Sequence, residues 1–220
     1  MTEERPEPAE FRWDVLTIGH LSRNRYWGEA DDRAYREPLC TCTLVRTDDF
    51  SVVIDPGLPL EEMVRVLDRR AGLAPDSVDI VFLTHFHGDH RAGLAAFPNA
   101  DWYIAPSEIE HGKRQLAAES PDREVLDRLR PAGPELIPGI TVVETPGHSA
   151  GHASLLFESE GKRIAVAGDA AMTRDFFRHR DYYFNTVDPD AAVTSIETIA
   201  RAADIVVPGH DNYFLNRRLE

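Results

Sequence analysis

Four times along this chain a short apolar run ends in a turn, and a metal-binding side chain follows at once. Ile80-Val81-Phe82-Leu83 runs into Thr84-His85-Phe86-His87-Gly88-Asp89-His90, and Val142-Val143 leads through Glu144-Thr145-Pro146-Gly147 to His148. Ile164-Ala165-Val166-Ala167-Gly168 delivers Asp169, and Ile205-Val206-Val207-Pro208-Gly209 delivers His210. Side chains placed this way sit at the rim of a rigid sheet, where a metal centre can be held without relying on a mobile loop.

The first of these segments is the densest. If the chain is still extended as it leaves the strand, His85 and His87 point to one side and their imidazoles can share a cation. Gly88 then permits a sharp turn that re-aims Asp89 and His90 toward a second position. Five histidines and two aspartates result, which suits two divalent ions bridged by a carboxylate. His85, His87 and His148 are expected to bind one ion and Asp89, His90 and His210 the other, with Asp169 between them. Imidazole and carboxylate ligands without thiolate favour Zn(II), so two zinc ions per chain are expected, although Mn(II) or Fe(II) could occupy the same atoms.

At 220 residues, 42% hydrophobic and 28% charged, the chain has the composition of an ordinary globular protein. One domain over residues 12–220 is expected, after a flexible lead-in over residues 1–11. A net charge of -14 argues against a nucleic acid gripped by a basic surface, without excluding one held through the metals. The acidic, proline-containing start has no signal pattern, and no segment approaches the roughly 18 apolar residues of a membrane span. Cys40 and Cys42 read as small buried thiols, too close for an ordinary disulfide. These features fit a cytoplasmic enzyme with a small-molecule substrate and no membrane partner, either monomeric or a homodimer.

Strands are expected over residues 15–18, 40–45, 51–54, 80–83, 102–104, 140–143, 153–157, 163–167 and 205–207. Helices are expected over 60–70, 91–97, 107–118, 121–130 and 189–203, with Ser107, Ser120 and Asp188 as N-caps and Pro121 at a first helical position. Such alternation favours sheets covered by helices. Asp55, in Asp55-Pro56-Gly57, fits either a carboxylate that fixes a ligand histidine or the start of a turn. His152 reads as support for the ligands, and His20, His111 and His179 as ordinary histidines.

Taken in order, Val53-Ile54-Asp55-Pro56-Gly57, Thr84 through Gly93, Thr145-Pro146-Gly147-His148-Ser149-Ala150-Gly151-His152, Gly168-Asp169 and Pro208-Gly209-His210 resemble the metallo-β-lactamase superfamily. The resemblance covers residues 15–210. It implies an α/β architecture, a four-layer αββα sandwich with a dinuclear site at one edge, and hydrolysis by a hydroxide bridging the two metals. Asp89 then has a second role, orienting the hydroxide or carrying its proton, besides that of a plain ligand.

Departures from branches of the family narrow the substrate. Dinuclear β-lactamases carry Cys where this chain has Asp169, or lack the bridging carboxylate. Glyoxalase-type thioesterases append a helical domain, and RNA-processing members add a large insert. The chain most resembles compact lactonase-like hydrolases, which implies cleavage of a lactone, ester or thioester. A phosphodiesterase or nuclease is the alternative, and a mononuclear iron persulfide dioxygenase a lesser one. Lactonases of this kind use a tyrosine after the bridging Asp to touch the substrate carbonyl, a role open to Tyr182 or Tyr183. Residues 172–185 are the expected specificity segment, whose Arg174, Arg178 and Arg180 fit either anion binding or a solvated basic loop. Residues 21–27 fit a facing wall, a packed lid or a subunit contact.

Overall fold

The computed structural model describes residues 10–216. Residues 1–9 of the expected lead-in and residues 217–220 lie outside the described residues. Phe11, counted in that lead-in, is buried at the end of the inter-sheet core, and its carbonyl accepts a hydrogen bond from Ser159.

Two six-stranded sheets carry the fold. In the first, β1 (Arg12–Thr17), β2 (Cys42–Arg46) and β3 (Ser51–Ile54) pair antiparallel. β4 (Ile80–Leu83), β5 (Asp101–Ile104) and β6 (Arg130–Pro131) follow in parallel. The second sheet runs from β7 (Glu135–Ile137) through β8 (Ile140–Glu144), β9 (Ala153–Ser159), β10 (Lys162–Gly168) and β11 (Ile205–Pro208) to β12 (Phe214–Leu215). Only the β10–β11 pair in it is parallel.

Strand alternation sorts the core into layers. Val52, Ile54, Ile80 and Phe82 face the second sheet and pack with Leu155, Phe157, Val166 and Val207. Val53, Val81 and Leu83 face the other way, onto Met63 and Leu67 of α1 (Leu60–Ala71), Ile109 of α3 (Pro106–Gln115) and Leu126 of α4 (Pro121–Arg128). On the outer face of the second sheet Ala165, Ala167 and Val206 pack under Phe177 of α5 (Arg174–His179) and Ile196 and Ile199 of α6 (Pro189–Ala202). Each large apolar side chain so buried contributes about 1.5–3 kcal/mol. The outcome is the expected αββα sandwich.

Several local expectations change. A short helix, α2 (Gly88–Arg91), begins inside the metal motif, so Asp89 and His90 are re-aimed by a helical turn, and Gly88 is not among the positive-φ glycines. Residues 94–96 form a 3-10 turn where a continuous helix over 91–97 is expected. α3 starts one residue early with Pro106 in its first turn, so Ser107 lies inside the helix and Ala105 precedes it without a side-chain cap. Ser120 and Asp188 do cap α4 and α6 through Asp122 N and Ala191 N. The basic stretch after Asp169 folds into α5, capped by Thr173.

Candidate metal centre

Five of the seven expected ligands leave a strand at the same edge of the sandwich, His85 and His87 after β4, His148 after β8, Asp169 after β10 and His210 after β11, and α2 carries the other two, Asp89 and His90. The structure brings all seven together. His85, His87, His148 and Asp169 form one cluster and Asp89, His90 and His210 a second, with ligand-type atoms in each group within 4.8 Å of one another. In the first, His87 Nδ1 lies 2.8 Å from His85 Nε2 and 3.0 Å from His148 Nε2. Asp169 joins the two: its Oδ2 is 3.1 Å from His148 Nε2, and its Oδ1 is 3.2 Å from His90 Nε2 and 3.4 Å from His210 Nε2. Asp89 Oδ2 stands 3.6 Å from His210 Nε2.

Gly209 makes this convergence possible, because a Cβ there would lie 1.9 Å from Asp169 Oδ1. The carboxylate occupies the space a side chain would need.

A surrounding layer of hydrogen bonds fixes the ring tautomers. Asp55 Oδ1 accepts from Thr84 N, and its Oδ2 accepts from Thr84 Oγ1 and from His90 Nδ1 at 2.9 Å. Because Thr84 Oγ1 gives its proton to Asp55, it accepts from His85 Nδ1. His210 Nδ1 donates toward the carbonyls of Leu39 and His20. Three rings thus commit Nδ1–H outward and turn Nε2 inward, the atom a metal would take in place of a proton. Of the two readings of Asp55, its side chain takes the supporting one.

His152 stands outside both clusters. Its Nε2 accepts from Asp169 N at 3.1 Å, and its Nδ1–H begins a chain through Thr145 Oγ1 and Ser154 Oγ to the Ala167 carbonyl. His20 contributes a carbonyl and His179 a ring stacked on Tyr26.

Burial and the charged neighbours set the charge states between them. Burial holds His85 well below the usual imidazole range and His87 below it, and brings His148 to about 4 and His152 to about 3. Burial opposes charge on His90 as well, but Asp169 and Asp55 outweigh it and push that ring well above its ordinary value. His210 is raised by Asp169 against the same opposition. Burial would raise Asp169, yet His210, His90 and His148 hold it well below the carboxylate range.

His90 Nε2, His148 Nδ1 and Asp169 Oδ1 are buried without a hydrogen-bond partner. An unsatisfied buried polar atom costs about 1–3 kcal/mol. His90 Nε2 and Asp169 Oδ1 face each other at 3.2 Å without forming a hydrogen bond, among imidazoles turned to the same point, an arrangement that fits divalent cations as the missing partners.

Above the ligands opens a cleft of about 400 Å³. Its floor holds His87, Asp89, His148, Asp169 and His210, and its walls hold Leu21, Pro38, Met172, Tyr183 and Phe184. Tyr183 therefore faces the cleft, although its hydroxyl is already shared with Ser22 Oγ at 3.0 Å and the Arg23 carbonyl. Tyr182 is exposed and is not part of the lining. Arg174, Arg178 and Arg180 are absent from the lining as well. Among the described residues the one arginine or lysine in the lining is Arg36, bound to both carboxylate oxygens of Glu29 and to the Leu21 carbonyl. Leu21 and Ser22 of the 21–27 loop form a wall, as one of its expected readings has it.

Sequence reasoning missed Glu108, which is buried beneath the ligand loops. Its position on an apparently polar helix gave no sign of burial.

An N-acyl homoserine lactonase of Bacillus thuringiensis is 26% identical over 201 residues, covering 77% of this chain and 80% of that protein. The Bacillus cereus N-acyl homoserine lactonase is 27% identical over 203 residues, with the same coverage. A solved quorum-quenching N-acyl homoserine lactone hydrolase superposes with a TM-score of 0.70 at 24% identity over 93% of each chain, a likeness of fold. Among the described residues no helix is long and apolar enough to cross a membrane. The metallo-beta-lactamase superfamily model matches residues 35–210, most of the chain and every ligand position above. The chain therefore belongs to the metallo-β-lactamase superfamily and is an enzyme of its hydrolase kind.

Proposed function

We propose that this protein is a dinuclear zinc hydrolase that opens a neutral lactone, with linear esters and thioesters as secondary substrates. The observation that carries the reading is the joining of two ligand clusters through Asp169 under an open cleft. His85, His87 and His148 would hold one cation and Asp89, His90 and His210 the other, with Asp169 shared. Bound there, the pair supplies Lewis acidity and a water nucleophile usable near neutral pH.

The chain's own groups do the rest. Asp89 is the accessible carboxylate of the set, its side chain 22% exposed against 2% for Asp169. Its accessibility supports a role in taking the proton of the attacking water and returning it to the leaving alkoxide. The wall of Leu21, Pro38, Met172, Tyr183 and Phe184 receives an acyl chain and excludes water from it. Tyr183 serves as a wall and an orienting surface; Tyr182 has no place in this assignment.

Charge favours a neutral substrate over a phosphodiester. Arg36 is neutralised by Glu29, Glu37 also lines the cleft, and the chain carries a net charge of -14. The N-acyl homoserine lactonases it resembles supply the first candidates.

The test is a metal-replete screen of lactones, aryl esters, thioesters, phosphodiesters and short single-stranded RNA, alongside metal analysis of the purified protein. Two zinc per chain with a lactone preference is the expected result. Asp169→Ala and His87→Ala are expected to abolish turnover while the fold persists. A preference for the phosphodiester or RNA, one iron with oxygen uptake, or full turnover in either variant would overturn it.

A further inference from the structure

Glu108 is 2% exposed, and among the described residues no lysine or arginine pairs with it. A buried carboxylate without a cation is costly unless hydrogen bonds replace its water. Three do. Its Oε1 accepts from Phe86 N at 3.0 Å, and its Oε2 accepts from Ser149 Oγ at 2.8 Å and Gly151 N at 3.0 Å.

The donors matter more than their number. Phe86 lies between His85 and His87, and Ser149 follows His148. One carboxylate thus ties the loop after β4 to the loop after β8, the two that bring His87 Nδ1 and His148 Nε2 to 3.0 Å. The loop after β8 rests directly on the first turn of α3: a Cβ at Gly151 would lie 2.1 Å from Glu108 N. Glu108 occupies the third position of α3, where the N-terminal dipole favours negative charge. Helix, carboxylate and both loops form one unit.

We propose that Glu108 is a positioning residue that sets the spacing of His85 and His87 against His148, and so the affinity of the first metal. The inference rests on the dinuclear reading above. An apolar residue of similar volume would leave the Phe86 and Gly151 N–H groups and the Ser149 hydroxyl without their acceptor, so both loops depend on the carboxylate itself. Its acceptors hold two separate loops in register.

Glu108→Gln keeps the shape but presents an NH₂ group to one set of donors, breaking the tie on that side. Ser149→Ala removes one bond and leaves both backbone donors in place. On the full chain loaded with zinc, chelator competition reads the two affinities, and thermal unfolding reads stability. In Glu108→Gln one zinc is expected to weaken by about tenfold or more, the usual scale for groups that orient ligands, while the other changes far less. Ser149→Ala weakens the same zinc by a smaller factor and carries the test if Glu108→Gln does not fold. Cobalt substitution identifies the site, since the altered absorption band must be the one lost in His148→Ala. Unchanged affinities in the folded variants, or equal weakening of both metals, would overturn the role of Glu108. A wild-type chain that binds no second metal would instead overturn the reading beneath it.

Discussion

Asp55 Oδ2 accepts a hydrogen bond from His90 Nδ1 at 2.9 Å, on a residue whose backbone takes the left-handed φ of 53°. That conformation is uncommon outside glycine. Here it places a buried carboxylate where one oxygen holds Thr84 N and the other holds Thr84 Oγ1 and His90. Through Thr84 the same group also reaches His85. One side chain therefore orients a histidine in each of the two clusters.

Asp55→Asn is expected to weaken zinc binding by about 10- to 100-fold, the usual effect of disturbing a partner of a ligand histidine. Asp55→Ala also leaves buried donors unsatisfied and is expected to lower stability by about 3 kcal/mol. Chelator competition and denaturant unfolding check the two effects. Wild-type zinc affinity in Asp55→Asn would remove Asp55 from the site.

Removing the metals is expected to lower the unfolding temperature reversibly. A bound ion stabilises by RT ln(1 + [L]/Kd), about 2.7 kcal/mol for each site at a hundredfold excess over Kd. Acid acts in the same direction, because protons compete for the imidazole lone pairs that face inward on His85, His90 and His210. Differential scanning calorimetry with and without chelator, followed by zinc add-back, measures it. Identical unfolding temperatures in both conditions would rule out a stabilising metal centre.

The convergence of the candidate ligands was legible in the sequence because their spacing follows from strand geometry. His85 and His87 share a face by the two-residue repeat, and each remaining ligand is announced by an apolar run and a turn. Asp55 was half legible: its turn showed, but its role depends on Thr84 and His90 from elsewhere in the chain. Glu108 was not legible, since a glutamate on a polar helix looks solvated until two distant loops settle over it. α5 was also hidden, because Arg174, Arg178 and Arg180 make its residues read as a loop, while the Thr173 cap and the burial of Phe176 and Phe177 decide for a helix. The family resemblance supplied the sandwich; local patterns supplied only its strands and helices.

The cleft walls are latched to each other through Asp181. Tyr26 donates to Asp181 Oδ2 at 2.8 Å, Arg25 pairs with the same oxygen at 3.2 Å, and Tyr26 packs edge-on against Phe176. Phe176 in turn packs with Leu21, Met172 and Tyr183. Asp181→Ala is expected to raise KM for long-chain lactones roughly fivefold, about 1 kcal/mol of lost support, with kcat little changed. Burial first, then the hydrogen bond and charge of Asp181, raise the Tyr26 phenol from the ordinary 10.0 to about 12. A raised folded value favours the protonated form, so the latch contributes fully below the unfolded value near 10.0 and loses its contribution as pH rises through about 12. Phenolate absorbance follows the titration, and an unaltered Tyr26 titration in Asp181→Ala would contradict the latch.

Gly209→Ala tests the metal centre without altering a ligand. The added Cβ would fall 1.9 Å from Asp169 Oδ1 and 3.0 Å from the backbone carbon of Gly168, so the carboxylate must move before any ordinary packing distance is restored. Asp169 has little room to do so, since its backbone N–H is held by His152 and both its oxygens are hemmed in by ligand imidazoles. Overpacking of this kind costs about 1–3 kcal/mol, which a domain of ordinary stability survives. The larger effect falls on chemistry, because the two oxygens of Asp169 reach imidazoles of both clusters. Gly209→Ala is expected to fold, to bind fewer than two zinc ions at stoichiometric loading, and to lose most of its turnover. Metal analysis by mass spectrometry beside circular dichroism separates these outcomes, and a folded variant with two tightly held zinc ions would show that the carboxylate does not bridge them.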